Sequence, residues 1–280
     1  ECPDPVTAGL LSELDAFDLF ESTSLTAGAD LVDTVLICSY FNHLNITLCI
    51  LDPVLHTATS TRSKSPVLFS AVLTVAAKIR RPKTYAACLM ISNKLLGQAV
   101  EFGLCSLELV QAIVLLTHWK KPDDGTSWRR VGYAIRMAQE LRLNIKGSRP
   151  LSKNEKSARE VLNRERAWLS ESLDAWTCSH IDLIIADYQY LHLMPMLTPS
   201  LAIHHSLPRM IADEGIDDPT DWITEHPQLP CPGESTLAPW ITFSRMCRLY
   251  ADMLASMNGD QSNMRALAWI ELEWKRWRTK

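Results

Sequence analysis

"TSWRRVGYAIRMAQELRLNI", Thr126 to Ile145, decides how this chain is built. Its apolar residues Trp128, Val131, Ile135 and Ala138 recur at steps of three and four, and Ala134 and Leu141 widen the stripe, which is the spacing of an amphipathic helix. Gly125 lets the chain enter at a sharp angle, and a hydroxyl from Thr126 or Ser127 is expected to cap the first turn. Arg129, Arg130, Arg136 and Arg142 follow one another at steps of one, six and six, which scatters them around the cylinder. A helix that tracks phosphates needs its cations gathered on one face. The stretch therefore predicts a helix packed into a core, with solvated or salt-bridged arginines on its wet side.

Outward from it, the same periodicity recurs and no run alternates apolar and polar residues between turns, so the expected class is all-α. Helices are expected over Ala29–Leu51, Pro66–Ile79, Pro82–Phe102, Ser106–Trp119, Ser127–Leu143, Asn154–Ala186, Pro239–Met257 and from Ser262 to the end. "KKPDDG" and "NIKGSRPLSK" read as surface turns. Residues 1–28 are expected to be a lead-in and 29–280 one domain of packed amphipathic helices. Within it, 190–239 stands apart: eight prolines and the run "EHPQLPCPGESTLAP" predict irregular structure.

With 47% apolar and 21% charged residues, the composition is that of an ordinary globular protein. A net charge of −4 argues against this segment holding nucleic acid by itself. The eight cysteines, at 2, 38, 49, 88, 105, 178, 231 and 247, form no C-x-x-C hook, so reduced thiols packed as small hydrophobes are expected and no metal site. Asn45-Ile46-Thr47 matches a glycosylation sequon by chance within a helix. No leader or apolar run of membrane-spanning length is present, and "ECPDP" reads as the start of a piece excised from something longer.

Five stretches in order carry a resemblance: "DLVDTVLICSYFNHLNITLCILDPVLH" from Asp30, "SPVLFSAVLTVAAKI" from Ser65, "YAACLMISNKLLGQAVEFG" with "SLELVQAIVLLTHW", the stretch around Ser127 and Trp128, and "NRERAWLSESLD" from Asn163. Together they resemble the middle homology region of fungal zinc-cluster transcription factors, over about 31–174. Ser127, Trp128, Gly132, Ala134, Arg136, Ala138 and Leu141 match one motif, and Arg166, Trp168 and Asp174 match the arginine-x-tryptophan…aspartate signature. The sequence departs from the family after Asp174, where Ala175-Trp176 and "IDLIIADYQYLHLMP" replace the usual arginine and Gly-Arg-Pro turn; "HHSLPRMI" from His204 is the candidate displaced equivalent.

The resemblance implies an all-helical regulatory domain acting in the nucleus. DNA-binding and zinc would belong to a separate N-terminal six-cysteine module, with no cofactor in this segment and no membrane partner. Transcription regulation in this family implies ligand sensing or autoinhibition, through a small-molecule effector or a coregulator protein; the alternative is a helical scaffold that forms a homodimer or binds a partner and senses no ligand. The effector pocket is expected between the Trp128 and Trp168 helices, lined by Trp128, Val131, Ile135, Trp168 and Trp176 and roofed by 190–239. Arg166 and Asp174, eight apart on one face, each need a partner on another helix, Arg136 being the candidate for Asp174.

Other chemistries are weaker. Asp217, Asp218 and Asp221 have the Asp-Asp-x-x-Asp spacing of all-α magnesium enzymes, but Gly215, Pro219 and Pro227 favour an acidic turn and no second metal motif is present. His192, His204 and His205 have no ligand at helical spacing. No Walker, Rossmann, G-x-S-x-G or H-E-x-x-H pattern occurs, so the expectation is no enzyme. Leu267, Ile270, Trp274 and Trp277 form a seam on the final helix, expected to cover a core or a dimer partner.

Overall fold

The computed structural model describes residues 5–16, 26–120, 124–177 and 219–242, with side chains over 5–10, 12, 35–120, 124–127, 129–170 and 219–242. Among the described residues there is no strand, and the fold is all-α. The helices are α1 Pro5–Ala16, α2 Thr26–His43, α3 Asn45–Leu48, α4 Ala58–Lys64, α5 Pro66–Arg80, α6 Pro82–Glu101, α7 Leu107–His118, α8 Ser127–Glu140, α9 Glu155–Thr177, α10 Pro219–Thr224 and α11 over 234–242. None is long and apolar enough to cross a membrane.

Two helices, α5 and α7, form the centre. On α5 every residue from Pro66 to Ala77 is buried, with no polar face left, because α1, α2, α4, α6 and α7 pack around it. A helix that is apolar all round has to be enclosed in this way. The same holds for Leu109–Thr117 of α7, which packs against α5, α8 and α9. Both start on serine caps: Ser65 and Ser106 accept from the Leu68 and Leu109 N–H at 3.2 Å, and Pro66 occupies the first turn of α5, where its missing N–H costs nothing. At the other end Lys78 Nζ donates to the carbonyls of Trp119 and Lys120, both at 2.8 Å, so α5 closes α7.

The helix that decided the fold class is where its periodicity placed it. Val131, Ala134, Ile135 and Ala138 are buried, while Arg129, Arg136 and Arg142 are exposed. Arg130 bonds Asn93 of α6 and lies 3.6 Å from Asp124. Its cap differs from expectation. Thr126 already has helical angles, so its hydroxyl cannot reach the orphan N–H groups. Instead the Asp124 carboxylate accepts from the Thr126 N–H and hydroxyl at 2.8 and 2.5 Å, and holds the turn from outside. The helix stops at Glu140, short of Leu143, because Arg142 turns left-handed and the Leu143 N–H bonds back to the Ala138 carbonyl.

Three further expectations are corrected. Residues 5–16 are a helix that packs on α5 and α6 and places Leu10 in the core, so the lead-in is part of the body. The helix expected over Ala29–Leu51 breaks at Leu44, and Cys49 ends α3 left-handed at φ 51°. Asn45 makes that corner: its side chain accepts from the Tyr40 hydroxyl and the Leu51 N–H and donates to the Leu51 carbonyl. Fully buried with both amide ends engaged, it is no glycan acceptor in the fold. In the segment expected to be irregular, Pro219 opens α10 and α11 begins at 234, not at Pro239.

Candidate functional site

Arg159, Leu162, Arg166 and Leu169 share a face of α9 by their three- and four-residue spacing, and all four are buried. An unpaired buried charge is prohibitive, and among the described residues only Arg159 pairs with a carboxylate of its own helix, Glu155 at 2.8 Å, so buried carboxylates are brought from elsewhere. Asp52, after the α3 corner, and Glu234, at the start of α11, supply them. Arg159 Nη1 donates to Asp52 Oδ2 at 3.0 Å, and Arg166 Nη2 lies 3.9 Å from the same oxygen. Arg166 Nε and Nη2 donate to Glu234 Oε1 at 3.1 and 2.7 Å. The order Arg159, Asp52, Arg166, Glu234 alternates in sign. The carboxylates are fixed in turn by the Val54 N–H on Asp52 and the Cys231 N–H on Glu234.

A second cluster lies on the adjoining face. Glu165, buried on α9, accepts at Oε1 from the Gly147 N–H at 2.7 Å and Arg149 Nη1 at 3.1 Å, and at Oε2 from Arg149 Nη2 at 2.8 Å and the Trp222 indole N–H at 2.7 Å. Trp222 also stands edge-on to His226, whose Nε2 lies 3.5 Å from Glu234 Oε1. On the rim, Lys146 and Arg149 both bond Glu225. Residues 219–242 are thus clamped on α9 through two ionic centres with Trp222 and His226 between them.

These contacts set the acid limit of the clamp. Burial pushes the Glu165 carboxyl up, but Arg149, the Trp222 N–H and the Gly147 N–H outweigh it and hold it below the usual glutamate range. For Glu234, burial is likewise outweighed, by the His226 ring and the Arg166 guanidinium. A carboxylate whose folded pKa lies below its unfolded value of about 4.3 adds stability that is complete above that value and is lost as pH falls through the folded one. The urea midpoint is therefore expected to fall steadily below about pH 4. In Glu165→Gln that acid limb is expected to flatten, and an unchanged slope would contradict the assignment.

Of the residues singled out in the sequence, Arg166 is the hub of the first centre and Trp168 is a core residue at 3% exposure. Ser127 is buried at the start of α8. Arg136 is exposed and donates to the Gly132 carbonyl of its own helix; the side chain of Asp174, its expected partner, lies outside the described residues. Arg166 finds its partner 68 residues away, at Glu234.

Of the cleft expected between α8 and α9, the described residues include three of the five lining side chains. The two helices are in contact, and Val131, Ile135 and Trp168 belong to one continuous core cluster, because their apolar faces meet directly. The described part of the roof packs on α9 through Trp222 and Glu234. The side chains of Trp128 and Trp176 lie outside the described residues, as do Asp217, Asp218, His192, His204, His205 and the seam of Leu267, Ile270, Trp274 and Trp277. Asp221 is exposed in the first turn of α10. Among the described residues, no group of three His, Cys, Asp or Glu is placed to hold a metal ion.

Asp52, Arg159, Glu165, Trp222 and Glu234 carry the site without having been singled out as site residues. The available signal was on α9: Arg159 and Arg166 sit seven apart on the apolar stripe, which calls for buried anions elsewhere.

Fold and site together define an all-α protein whose long helix is clamped by a remote segment through buried ion pairs. No family model and no solved structure matches the chain. Over 169 residues it is 34% identical to Protein priB of Lentinula edodes, a match that takes in 59% of this chain. That match covers 25% of the relative, so the chain spans about a quarter of its length.

Proposed function

We propose that this chain is the regulatory domain of a fungal zinc-cluster transcription factor, acting in the nucleus, with zinc and DNA contacts supplied by a separate six-cysteine module. The observation that carries the reading is the ordered set of sequence motifs, whose arginine-x-tryptophan signature coincides with Arg166 at the ionic hub and Trp168 in the core. The arginines of α8 fit the same reading, being spread over its wet side rather than lining a groove.

Regulation requires two arrangements that an effector or coregulator binds unequally. The clamp of 219–242 on α9 is the element suited to this role. Its charges are matched only when closed, and a small-molecule effector or coregulator that favours release would shift the balance. The reading assigns no catalytic residue.

The test is a reporter assay in a fungal host, with the chain inserted between a heterologous DNA-binding module and an activation domain. Insertion is expected to lower output roughly tenfold, and Arg166→Ala to restore most of it at equal protein level. Equal output with and without the chain would reject the proposal.

A further inference from the structure

At the edge of the ionic hub, Cys49 and Cys231 face each other with both side chains buried and their sulfurs 3.9 Å apart. Nothing in the local sequence pairs residues so distant; three features of the fold do. Cys49 ends α3 in the left-handed region at φ 51°, which turns the chain back sharply at that residue. Gly233, at φ 99°, lets the 231–233 turn come against α3, for a Cβ there would lie 2.9 Å from the backbone of Ile46 and 3.1 Å from the Cys49 Cβ. Glu234 Oε2 then accepts from the Cys231 N–H and fixes the turn.

The surroundings suit thiol chemistry as well as proximity. The Cys49 thiol has two acceptors in reach, the Pro232 carbonyl at 3.2 Å and the Cys231 sulfur at 3.9 Å, while the Cys231 thiol faces the Leu51 carbonyl at 3.6 Å; the bond to the Cys231 sulfur, with burial, pushes Cys49 up. Arg166, fully buried beside both sulfurs, has an Nη1 with no hydrogen-bond partner among the described residues, so a cation stands next to the pair. Closure to a disulfide, with sulfurs about 2.05 Å apart, needs the two sulfurs to approach by roughly 2 Å.

We propose that Cys49 and Cys231 are a reversible dithiol–disulfide pair, oxidised by a small disulfide of the glutathione class, and that the bond latches 219–242 onto the α3 corner. The Cys231 sulfur, giving up its proton as the clamp opens, attacks one sulfur of the small disulfide, forming a mixed disulfide and expelling the other half as thiolate. The Cys49 sulfur then attacks the Cys231 sulfur, forming the protein disulfide and releasing the second half. Two electrons pass to the oxidant, and the two cysteine protons end on the two small thiols. Because both sulfurs are buried, exchange proceeds only when the clamp opens, so oxidation records an opening and then prevents the next one.

This inference stands apart from the proposed role in transcription, and a negative reporter assay leaves it untouched. The whole chain, reduced and then incubated with glutathione disulfide, is alkylated, digested without reductant and mapped by mass spectrometry. A peptide pair joined through Cys49 and Cys231 is expected. Deuterium exchange over 219–242 should slow by roughly tenfold against the reduced protein and recover on adding dithiothreitol. Cys231→Ser should abolish both effects and Cys88→Ser neither. Should Cys231→Ser fail to fold, comparison of the oxidised and reduced wild-type protein decides alone. Recovery of Cys49 and Cys231 as free thiols or as separate glutathione adducts would overturn the pairing, and a joined pair with unchanged exchange would overturn the latch.

Discussion

Replacing Arg166 with alanine is expected to destabilise the protein by about 3–5 kcal/mol, the usual cost of breaking a buried ion pair by removing one partner. The hub explains why the loss is large. Asp52 and Glu234 are both buried, and only Arg159 and Arg166 face them from α9. Without Arg166, Glu234 keeps the Cys231 N–H and the His226 ring at 3.5 Å, and Asp52 keeps Arg159. One buried negative charge is then uncompensated. Removing that charge too, in Arg166→Met with Glu234→Gln, should recover much of the stability, since a buried pair replaced by neutral groups of similar volume is often near neutral. Urea unfolding of the two variants against wild type measures this. A loss below about 1 kcal/mol in Arg166→Ala, the range of an exposed pair, would show that the hub is solvated.

The contrast between what was legible in the sequence and what was not follows the range of the interactions. Helices α5 to α8 could be read because each carries its own signal: an apolar run or stripe, a serine cap at Ser65 or Ser106, a proline at the first position of α5 and α6. The short helix α4 could not, since "ATSTRSK" has no apolar stripe and buries only Thr61; it is held by the Thr57 cap and by its seat against α5. Prolines in 219–242 read as breakers, yet Pro219 sits at the start of α10, where proline is compatible with helix. The break at Leu44 depends on a buried Asn45, whose polarity gives no sign that it will fold back on Leu51.

The site divides in the same way. Arg166 stood out through the arginine-x-tryptophan signature, and its separation from Asp174 called for a partner on another helix. Glu234 and Asp52 could not be matched to it, for the pairing of α9 with chain 68 and more than 100 residues away is fixed by packing, not by spacing. The resemblance to a family contributed Arg166 and Trp168 together, and Val131, Ile135 and Trp168, expected along a cleft, are residues by which α8 and α9 fill the core. A tryptophan on an amphipathic helix carries the same pattern whether it lines a cavity or closes one.

The second large effect is expected at Trp222, where alanine should cost about 3–5 kcal/mol, the range for removing a buried aromatic ring. Trp222 is 1% exposed although it stands in a helix of only six residues, too short to be stable alone. Its indole is therefore what seats α10 on α9, through the ring edge against His226 and the N–H on Glu165 Oε2. Trp222→Phe separates the two contributions. It keeps most of the apolar surface but leaves the Glu165 oxygen without that donor, which should cost about 1–3 kcal/mol. The location of the loss is as diagnostic as its size. In Trp222→Ala, deuterium exchange is expected to rise first across 219–242, while α5 and α7, enclosed by other helices, keep their protection. Uniform acceleration over α5 and α7 would instead mean that the clamp and the bundle unfold as one unit, and that the segment cannot act as a separately moving part.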